Sequence, residues 1–268
     1  MAWRAGLIWG GLALGLGGQI ISAPGPQQKL LRAAAQNELR FLRARGNYTY
    51  HRHFSFFEVS NQQHQPGGFY REVADLTFTP GGQRYKRYIS GPFDTLKFLI
   101  LHRRNMSDLR QILPLVLTPT KLEGYFCRYI GAATIRLRDG NGRWQGRIAT
   151  QEFRISPLQT WPGQRYFHGE VWLDPRTLGV VKLSGYPVPN VLTYKHGRAG
   201  RHLFEHFTTW FQRLDHRYWF PAYTYGRDWL NFPQGAVLVR EKVRYTHYQR
   251  FVVQHKIQML PMPVKPQH

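Results

Sequence analysis

The chain has 268 residues, of which 37 are Lys or Arg and only 15 are Asp or Glu, giving a formal net charge of +22. Its single cysteine, Cys127, excludes an internal disulfide framework, so stability must come from a hydrophobic core. The length suits one large β domain or two small ones, and 15% aromatic residues supply ample material for a core.

The first 23 residues have the order of a secretory signal peptide. Arg4 precedes an apolar run over residues 5–18, and Ile21-Ser22-Ala23 supplies small residues at a cleavage site. The run is shorter than the roughly 20 apolar residues that span a bilayer, so we expect cleavage rather than an uncleaved membrane anchor. The mature protein is then periplasmic or secreted. Because exported proteins rarely meet nucleic acid, we expect no nucleic-acid partner despite the basic charge.

Residues 27–45 have the apolar spacing of a helix. Steps of four, four and three residues separate Leu31, Ala35, Leu39 and Leu42. Pro26 and Gly46 punctuate the two ends. We predict one amphipathic helix packed on a sheet, with Glu38 at the edge of its apolar stripe.

From residue 48 the apolar period changes to two, which predicts the hairpins of an antiparallel meander. The first block of strands ends at Gly91-Pro92, and residues 93–117 predict two short helices, a helical insert that either plugs the core or covers a cavity. The later predicted strands are 125–138, 144–155, 163–174, 178–186, 203–214, 218–225 and 236–248. The polar tail over residues 254–268 is predicted to be disordered.

This order of elements resembles a known family. The segments that carry the resemblance are Gly169-Glu170-Val171-Trp172-Leu173-Asp174-Pro175, Leu178-Gly179-Val180-Val181-Lys182, Arg217-Tyr218-Trp219-Phe220-Pro221, Tyr48-Thr49-Tyr50, Arg71-Glu72-Val73, Ser90-Gly91-Pro92 and Ile112-Leu113-Pro114. They look like the LolA-like periplasmic lipoprotein carriers, the outer-membrane lipoprotein-sorting proteins, and an exported branch of their relatives.

The resemblance implies an α+β fold and a binding function. Residues 24–253 would form a single LolA-like domain, an incomplete antiparallel β-barrel (half-barrel) with an N-terminal helix and a helical insert covering an apolar cavity. Such a cavity holds lipid, acyl chains or a lipidated protein, and it brings no catalytic residues and no cofactor. The helix over residues 30–42 and the insert over residues 96–117 would form its lid.

The period-two faces of the predicted strands supply the wall of this cavity. Our wall candidates are Tyr50, Phe54, Phe56, Leu76, Phe78, Leu99, Leu113, Val116, Leu183, Trp219 and Tyr223. Small barrels filled by side chains share this alternation, so the same residues could form a solid core instead.

The basic residues suggest a second kind of binding. Arg240, Lys242 and Arg244 share one face of the last predicted strand, and Arg136 and Arg138 repeat the pattern. Basic residues contribute about 1 kcal/mol each near an anionic bilayer. The alternative function is therefore a solid-core protein of the cell envelope that binds an anionic polysaccharide or a partner through this basic surface.

Catalytic and metal motifs are weak. Residues 202–206 spell H-x-x-E-H, but this segment is predicted as a strand, on which Glu205 points away from His202 and His206. His51 and His53 share a strand face and lack an evident third ligand, so we predict no metal site. We expect a buried structural thiol at Cys127 and no enzymatic activity.

Overall fold

The computed structural model describes residues 21–22, 25–78, 83–98, 117–161, 164–189, 191–193, 199–201, 205–232 and 235–251. Its helices in these ranges are α1 (Gly25–Arg45) and α2 (Pro119–Leu122). Its strands are β1 (Ile21–Ser22), β2 (Tyr48–Asn61), β3 (Phe69–Phe78), β4 (Arg84–Asp94), β5 (Tyr125–Arg138), β6 (Trp144–Pro157), β7 (Tyr166–Asp174), β8 (Gly179–Val188), β9 (Val191–Thr193), β10 (Ala199–Arg201), β11 (Phe207–Leu214), β12 (Tyr218–Phe232) and β13 (Gly235–Arg250).

One large sheet dominates the fold. Its strand order is β1-β5-β6-β7-β8-β11-β12-β13-β2-β3-β4, antiparallel except for β1 beside β5, and β9 and β10 form a separate hairpin. Within the described residues the two ends of the sheet do not pair, so the sheet is open and does not close into a barrel. The predicted antiparallel sheet and N-terminal helix are confirmed.

The described residues give no evidence for the helical insert predicted over residues 93–117, most of which lies outside the described ranges. Phe93 and Asp94 belong to β4, which continues through Gly91-Pro92, although that pair was predicted to end the strand. Gly91 permits this continuation because its φ is +79° and its Cα lies close to the Arg71 carbonyl, at a register shift between β3 and β4. Residues 99–116 lie outside the described ranges, as do most of the predicted signal peptide and the predicted tail.

Helix α1 packs one stripe of side chains against the sheet. Its buried residues are Leu31, Ala34, Ala35, Glu38 and Phe41. Glu38 therefore lies in the middle of the buried stripe, and its prediction at the edge was wrong. Arg43 and Arg45 occupy the last turn, where positive charge favours the helix dipole. Across the described ranges, no helix has the length and apolar character needed to cross a membrane.

The face of the sheet that carries α1 is called the helix side. There, Leu31, Ala34 and Ala35 share a core cluster with side chains of β5 to β8 and β11, while the β2, β3 and β13 side chains form a second cluster. Phe41 joins Phe220 in a third, with ring centroids 5.0 Å apart in an edge-to-face contact.

The turn between β7 and β8 explains several residues of the family-like segment. The buried Asp174 carboxylate accepts hydrogen bonds from Arg176 N (3.0 Å) and from the Thr177 hydroxyl (2.6 Å). Thr177 Oγ1 in turn accepts from Trp219 Nε1 at 2.8 Å. Gly179 lies beneath the same indole, since an added Cβ would come within 2.3 Å of Trp219 Cδ1. The turn thereby fixes β12 against β8.

Candidate functional site

The structure divides the predicted wall residues among three places. Tyr50, Phe54, Phe56, Leu76 and Phe78 belong to one buried cluster on the helix side. Leu183 and Trp219 belong to the other large cluster, and Tyr223 packs against Trp210 on the opposite face. Leu99, Leu113 and Val116 lie outside the described residues. The described wall candidates therefore do not line a single shared surface.

The start of the predicted insert covers the first of these clusters. Leu96 and Phe98 pack against it from the segment that follows β4. The buried Glu58 carboxylate holds this segment in place: Oε2 accepts from Lys97 N at 2.7 Å, and Oε1 accepts from Phe98 N at 2.9 Å. Oε2 also accepts from Gly68 N at 2.8 Å. One carboxylate thus joins β2 to the segment that leads into residues 99–116.

Buried charges interrupt this apolar cluster. Glu72 Oε1 accepts from Arg52 Nη2 at 2.5 Å and from Lys86 Nζ at 2.6 Å, while Oε2 accepts from the Tyr70 hydroxyl at 2.7 Å. Burial opposes ionisation of Glu72, but the hydrogen bonds from Lys86 and Tyr70 and the Arg52 charge outweigh it and lower the pKa. This network is ionic at neutral pH.

Glu205 and Glu241 form a second buried polar pair. Both side chains are fully buried and lie close enough for their charges to interact, and among the described residues no hydrogen-bond donor reaches their four carboxyl oxygens. Burial raises the pKa of both, and the Glu205 charge raises that of Glu241 further, against an opposing effect of Arg52. In such a pair, ionisation of one carboxyl group opposes ionisation of the other.

The opposite face of the sheet is called the hairpin side, because the tip of the β5–β6 hairpin folds over it. The Arg138 guanidinium lies over the rings of Trp144, Trp210 and Tyr223, at 3.7, 4.9 and 5.5 Å from their centroids. The Arg136 guanidinium also lies over the Trp144 ring, 4.7 Å from its centroid. These cation–π contacts fix the hairpin tip against β11 and β12.

Five cations gather on the hairpin side. They are Arg71 on β3, Arg227 on β12, and Arg240, Lys242 and Arg244 on β13, and we call them the basic face. Strand register brings them together: Arg240 pairs with Arg227 on one side and Phe57 on the other, and Lys242 pairs with Ser55, which pairs with Arg71. Phe57 lies beneath two of them, 4.8 Å from Arg240 and 5.0 Å from Arg71.

The basic face has no acidic partner among the described residues. The ion pairs of these ranges use other cations, such as Arg52 and Lys86 with Glu72. A cavity of about 440 Å³ opens beside Arg71, Lys242 and Arg244 and reaches Asn141 at the hairpin tip. The predicted clustering of Arg240, Lys242 and Arg244 on one strand face is thus observed, with Arg71 and Arg227 added by strand pairing.

Three histidines also meet on the hairpin side. His51 and His53 of β2 lie beside His247 of β13, and each offers a ring nitrogen within 4.8 Å of those of the other two. This third histidine was not predicted, because its position depends on how β13 pairs with β2. The described residues of the H-x-x-E-H string separate as expected, with Glu205 buried and His206 exposed, and His202 lies outside the described ranges.

Cys127 is buried on β5, and burial raises the pKa of its thiol to about 12. A thiol with such a pKa carries almost no thiolate at neutral pH and is a poor nucleophile.

No protein-family model matches the chain, and no curated protein matches it. Among solved structures, the chain is similar to one from the Pseudomonas aeruginosa MucA/MucB complex, at 10% identity and a TM-score of 0.24, over 82% of this chain and 99% of the other. A chain from MucB in complex with MucA(peri) gives 10% identity and a TM-score of 0.22, over 84% and 99%. Similarity at these TM-scores carries no argument about fold or partner, so the resemblance to the lipoprotein carriers stays a prediction.

Proposed function

We propose that the chain is an exported, non-enzymatic protein that docks on an anionic surface of the cell envelope through its basic face. The observation that carries this proposal is the convergence of five cations without an acidic partner among the described residues. Since no described carboxylate pairs with these five cations, we infer that a partner or solvent ions supply the counter-charge. The proposal explains the excess of positive charge and locates part of it on one face of the sheet, which composition alone cannot do.

An anionic bilayer fits the chemistry of this face. Five basic residues at about 1 kcal/mol each give roughly 5 kcal/mol of attraction, which suits reversible peripheral binding. Trp229 lies on the same side of β12 as Arg227 and is 44% exposed. Tryptophan is enriched at the interface between lipid and water, where its ring sits at headgroup level. The cavity beside Arg71, Lys242 and Arg244 offers room for a phosphate headgroup.

Sedimentation with lipid vesicles tests this proposal. The full chain should bind vesicles containing about one-third anionic phosphatidylglycerol and not neutral vesicles, and the binding should fade between about 0.05 M and about 0.5 M salt. The triple variant R240E/K242E/R244E should lose it. The matched control K29E/R40E/R43E changes the net charge equally on exposed positions of α1 and should still bind.

Two outcomes would contradict the proposal. Equal loss in both triple variants would show that only net charge matters, and binding that resists salt would show that the attraction is not ionic. Binding to a sulfated polysaccharide such as heparin without binding to vesicles would reassign the partner to a polysaccharide. Circular dichroism of each variant checks that the β-rich fold is retained.

A second candidate function is capture of an acyl chain on the helix side. The observation that favours it is the cover that Leu96 and Phe98 place over five of the predicted wall residues. Each buried CH₂ group contributes about 0.8 kcal/mol, so one acyl chain can bind without polar contacts. Native mass spectrometry of protein from its native envelope should then find a stoichiometric lipid, retained at high salt.

A pair of variants separates this function from a solid core. F98R places a charge beside the covered cluster and should abolish lipid retention, whereas F93R, on an exposed β4 position, should leave it unchanged. Protein that stays empty when challenged with lipid would instead support a solid core.

A further inference from the structure

The histidine cluster on the hairpin side depends on two features of the sheet. His51 and His53 are alternate residues of β2, so both side chains leave the same face. Strand pairing aligns His51 with Thr246 and His53 with Arg244, which brings the end of β13 alongside. The three histidines are thus held by two central, hydrogen-bonded strands rather than by loops.

A β-bulge aims the third histidine at the first two. The register between β13 and β2 shifts between Thr246 and Gln249, and His247 has a φ of +53°. Before this point Val243 and Tyr245 are buried on the helix side; after it, Tyr248 returns to that side and packs on Tyr50 with ring centroids 4.9 Å apart. Thr246 and His247 therefore both face the hairpin side. Bulges often re-aim a side chain in this way next to functional sites.

The rings lie close enough to share one ion. The ring centroids of His51 and His247 are 4.5 Å apart, those of His51 and His53 are 6.4 Å apart, and one nitrogen from each of the three lies within 4.8 Å of the others. Ligands of a tetrahedral metal with metal–nitrogen bonds of about 2.0–2.1 Å lie roughly 3.4 Å from one another. Small changes in side-chain torsions would close the remaining gap.

Surrounding groups orient two of the rings. Asp75 Oδ1 lies 3.0 Å from His51 Nε2, the carboxylate–histidine contact that commonly supports a metal-bound imidazole. Thr246 Oγ1 lies 3.1 Å from His53 Nε2 and 3.0 Å from His247 Nδ1.

We propose that His51, His53 and His247 form a binding site for one divalent transition-metal ion, of which Zn²⁺ is the best fit, with Asp75 as a positioning residue. Three imidazoles suit zinc, cobalt, nickel or copper better than the oxygen-preferring magnesium or calcium. A cavity of about 650 Å³ adjoins His51 and His247 and leaves room for a fourth ligand. Lys86 and Arg87 also line this cavity, each already ion-paired with a carboxylate, Glu72 and Asp75 respectively.

Cobalt titration of the full chain, purified without an affinity tag, tests the site. One equivalent of Co²⁺ should produce the intense visible absorption of a tetrahedral site, and one equivalent of Zn²⁺ should abolish it. H247N should weaken binding at least 100-fold. The matched control H216N changes a histidine with nearly the same backbone, φ +52°, outside the cluster, and should bind normally. Asn suits both positions because it tolerates positive φ.

Two further variants, D75N and H51N, test the other residues of the site. D75N should weaken binding about 10- to 100-fold, as expected for a group that orients a ligand. H51N, at a partly exposed position, replaces H247N if circular dichroism shows that the latter does not fold. The proposal is overturned if the wild-type chain binds no stoichiometric metal, or if H247N and H51N bind as tightly as H216N.

Discussion

Glu205 and Glu241 form a buried pair of carboxyl groups without a hydrogen-bond donor among the described residues, and burial raises the pKa of both. Glu205 precedes β11, and Glu241 occupies a helix-side position of β13 between Val239 and Val243. Both side chains are fully buried, and the Arg52 charge lies close enough to favour ionisation of Glu241. At a pH between the unfolded and the folded pKa, the folded chain therefore keeps a proton that the unfolded chain releases.

This retained proton makes stability depend on pH. A carboxyl group whose pKa is higher in the folded chain than in the unfolded chain makes its full contribution to the free energy of unfolding below the unfolded pKa, near 4.5. That contribution is lost as pH rises toward the folded pKa. For each such proton, the free energy of unfolding falls by about 1.4 kcal/mol per pH unit between these two pKa values. E241Q removes one ionisable group and supplies an amide donor to Glu205. Its Tm should therefore fall less than that of the wild type between pH 5 and 8, measured by circular dichroism.

The matched control, E72Q, should change the pH dependence of stability in the opposite direction. E72Q removes a carboxylate whose pKa is lowered by Lys86 and Tyr70, so it removes stability that is present above pH 4.5. The E72Q protein should be less stable than the wild type at pH 7, with a difference that shrinks in acid. Parallel pH profiles for the wild type and E241Q would contradict the raised pKa of Glu241.

Glu38 should impose a similar penalty on helix α1. It lies in the buried stripe against the Val180 backbone, and burial raises its pKa from 4.5 to about 8. The contribution of Glu38 to the free energy of unfolding is complete below pH 4.5 and declines as pH rises to about 8. E38Q keeps the hydrogen-bonding shape without the charge and should raise Tm at pH 8 by several degrees, while changing it little at pH 4. A raised Tm at pH 4 alone would contradict this account.

Much of the architecture follows from periodicity in the sequence. Helix α1 and the β5–β6 hairpin were predicted because apolar spacing and turn residues are local signals. Buried charges escaped the prediction, since Arg52, Glu72 and Glu241 each occupy an inward position of an otherwise apolar strand face. Their inward placement was itself the signal, because a charge at such a position needs a partner on a neighbouring strand.

The histidine site could not have been predicted locally. His247 reaches His51 only because β13 pairs with β2 across nearly 200 residues of sequence and then bulges at a residue with positive φ. Neither the pairing nor the bulge leaves a mark in the sequence around His247. The basic face is an intermediate case: alternation places Arg240, Lys242 and Arg244 together, whereas Arg71 and Arg227 join them through strand register alone.

The β7–β8 turn should be sensitive to two single substitutions. D174A removes the acceptor for Arg176 N and the Thr177 hydroxyl, and it should cost about 2 kcal/mol and lower Tm by roughly 5 °C. G179A should cost more, because its Cβ would meet Trp219 Cδ1 at 2.3 Å. G146A is the control, since nothing lies within 4 Å of the added Cβ. Thermal melts of the three variants compare them, and a G179A protein as stable as G146A would contradict the contact.

Glu58 should hold in place the segment around Leu96 and Phe98, which packs against the cluster of β2, β3 and β13 side chains. Its carboxylate accepts hydrogen bonds from the backbone amides of Gly68, Lys97 and Phe98, and a hydrogen bond to a charged group contributes about 1.5–3 kcal/mol. E58A should therefore speed hydrogen exchange of these three amides by at least 10-fold, measured by mass spectrometry or NMR. E58Q retains one acceptor oxygen and should have an intermediate effect.

Exchange elsewhere shows whether this effect is local. The amides of β7 and β8 lie in a different core cluster and should exchange at the wild-type rate in E58A. Faster exchange throughout the sheet would mean that Glu58 stabilises the whole fold rather than one segment. If the amides of Lys97 and Phe98 exchange as slowly in E58A as in the wild type, another group holds the segment. Combined with lipid uptake by the same variant, selective release would link the position of Phe98 to access to the apolar cluster beneath it.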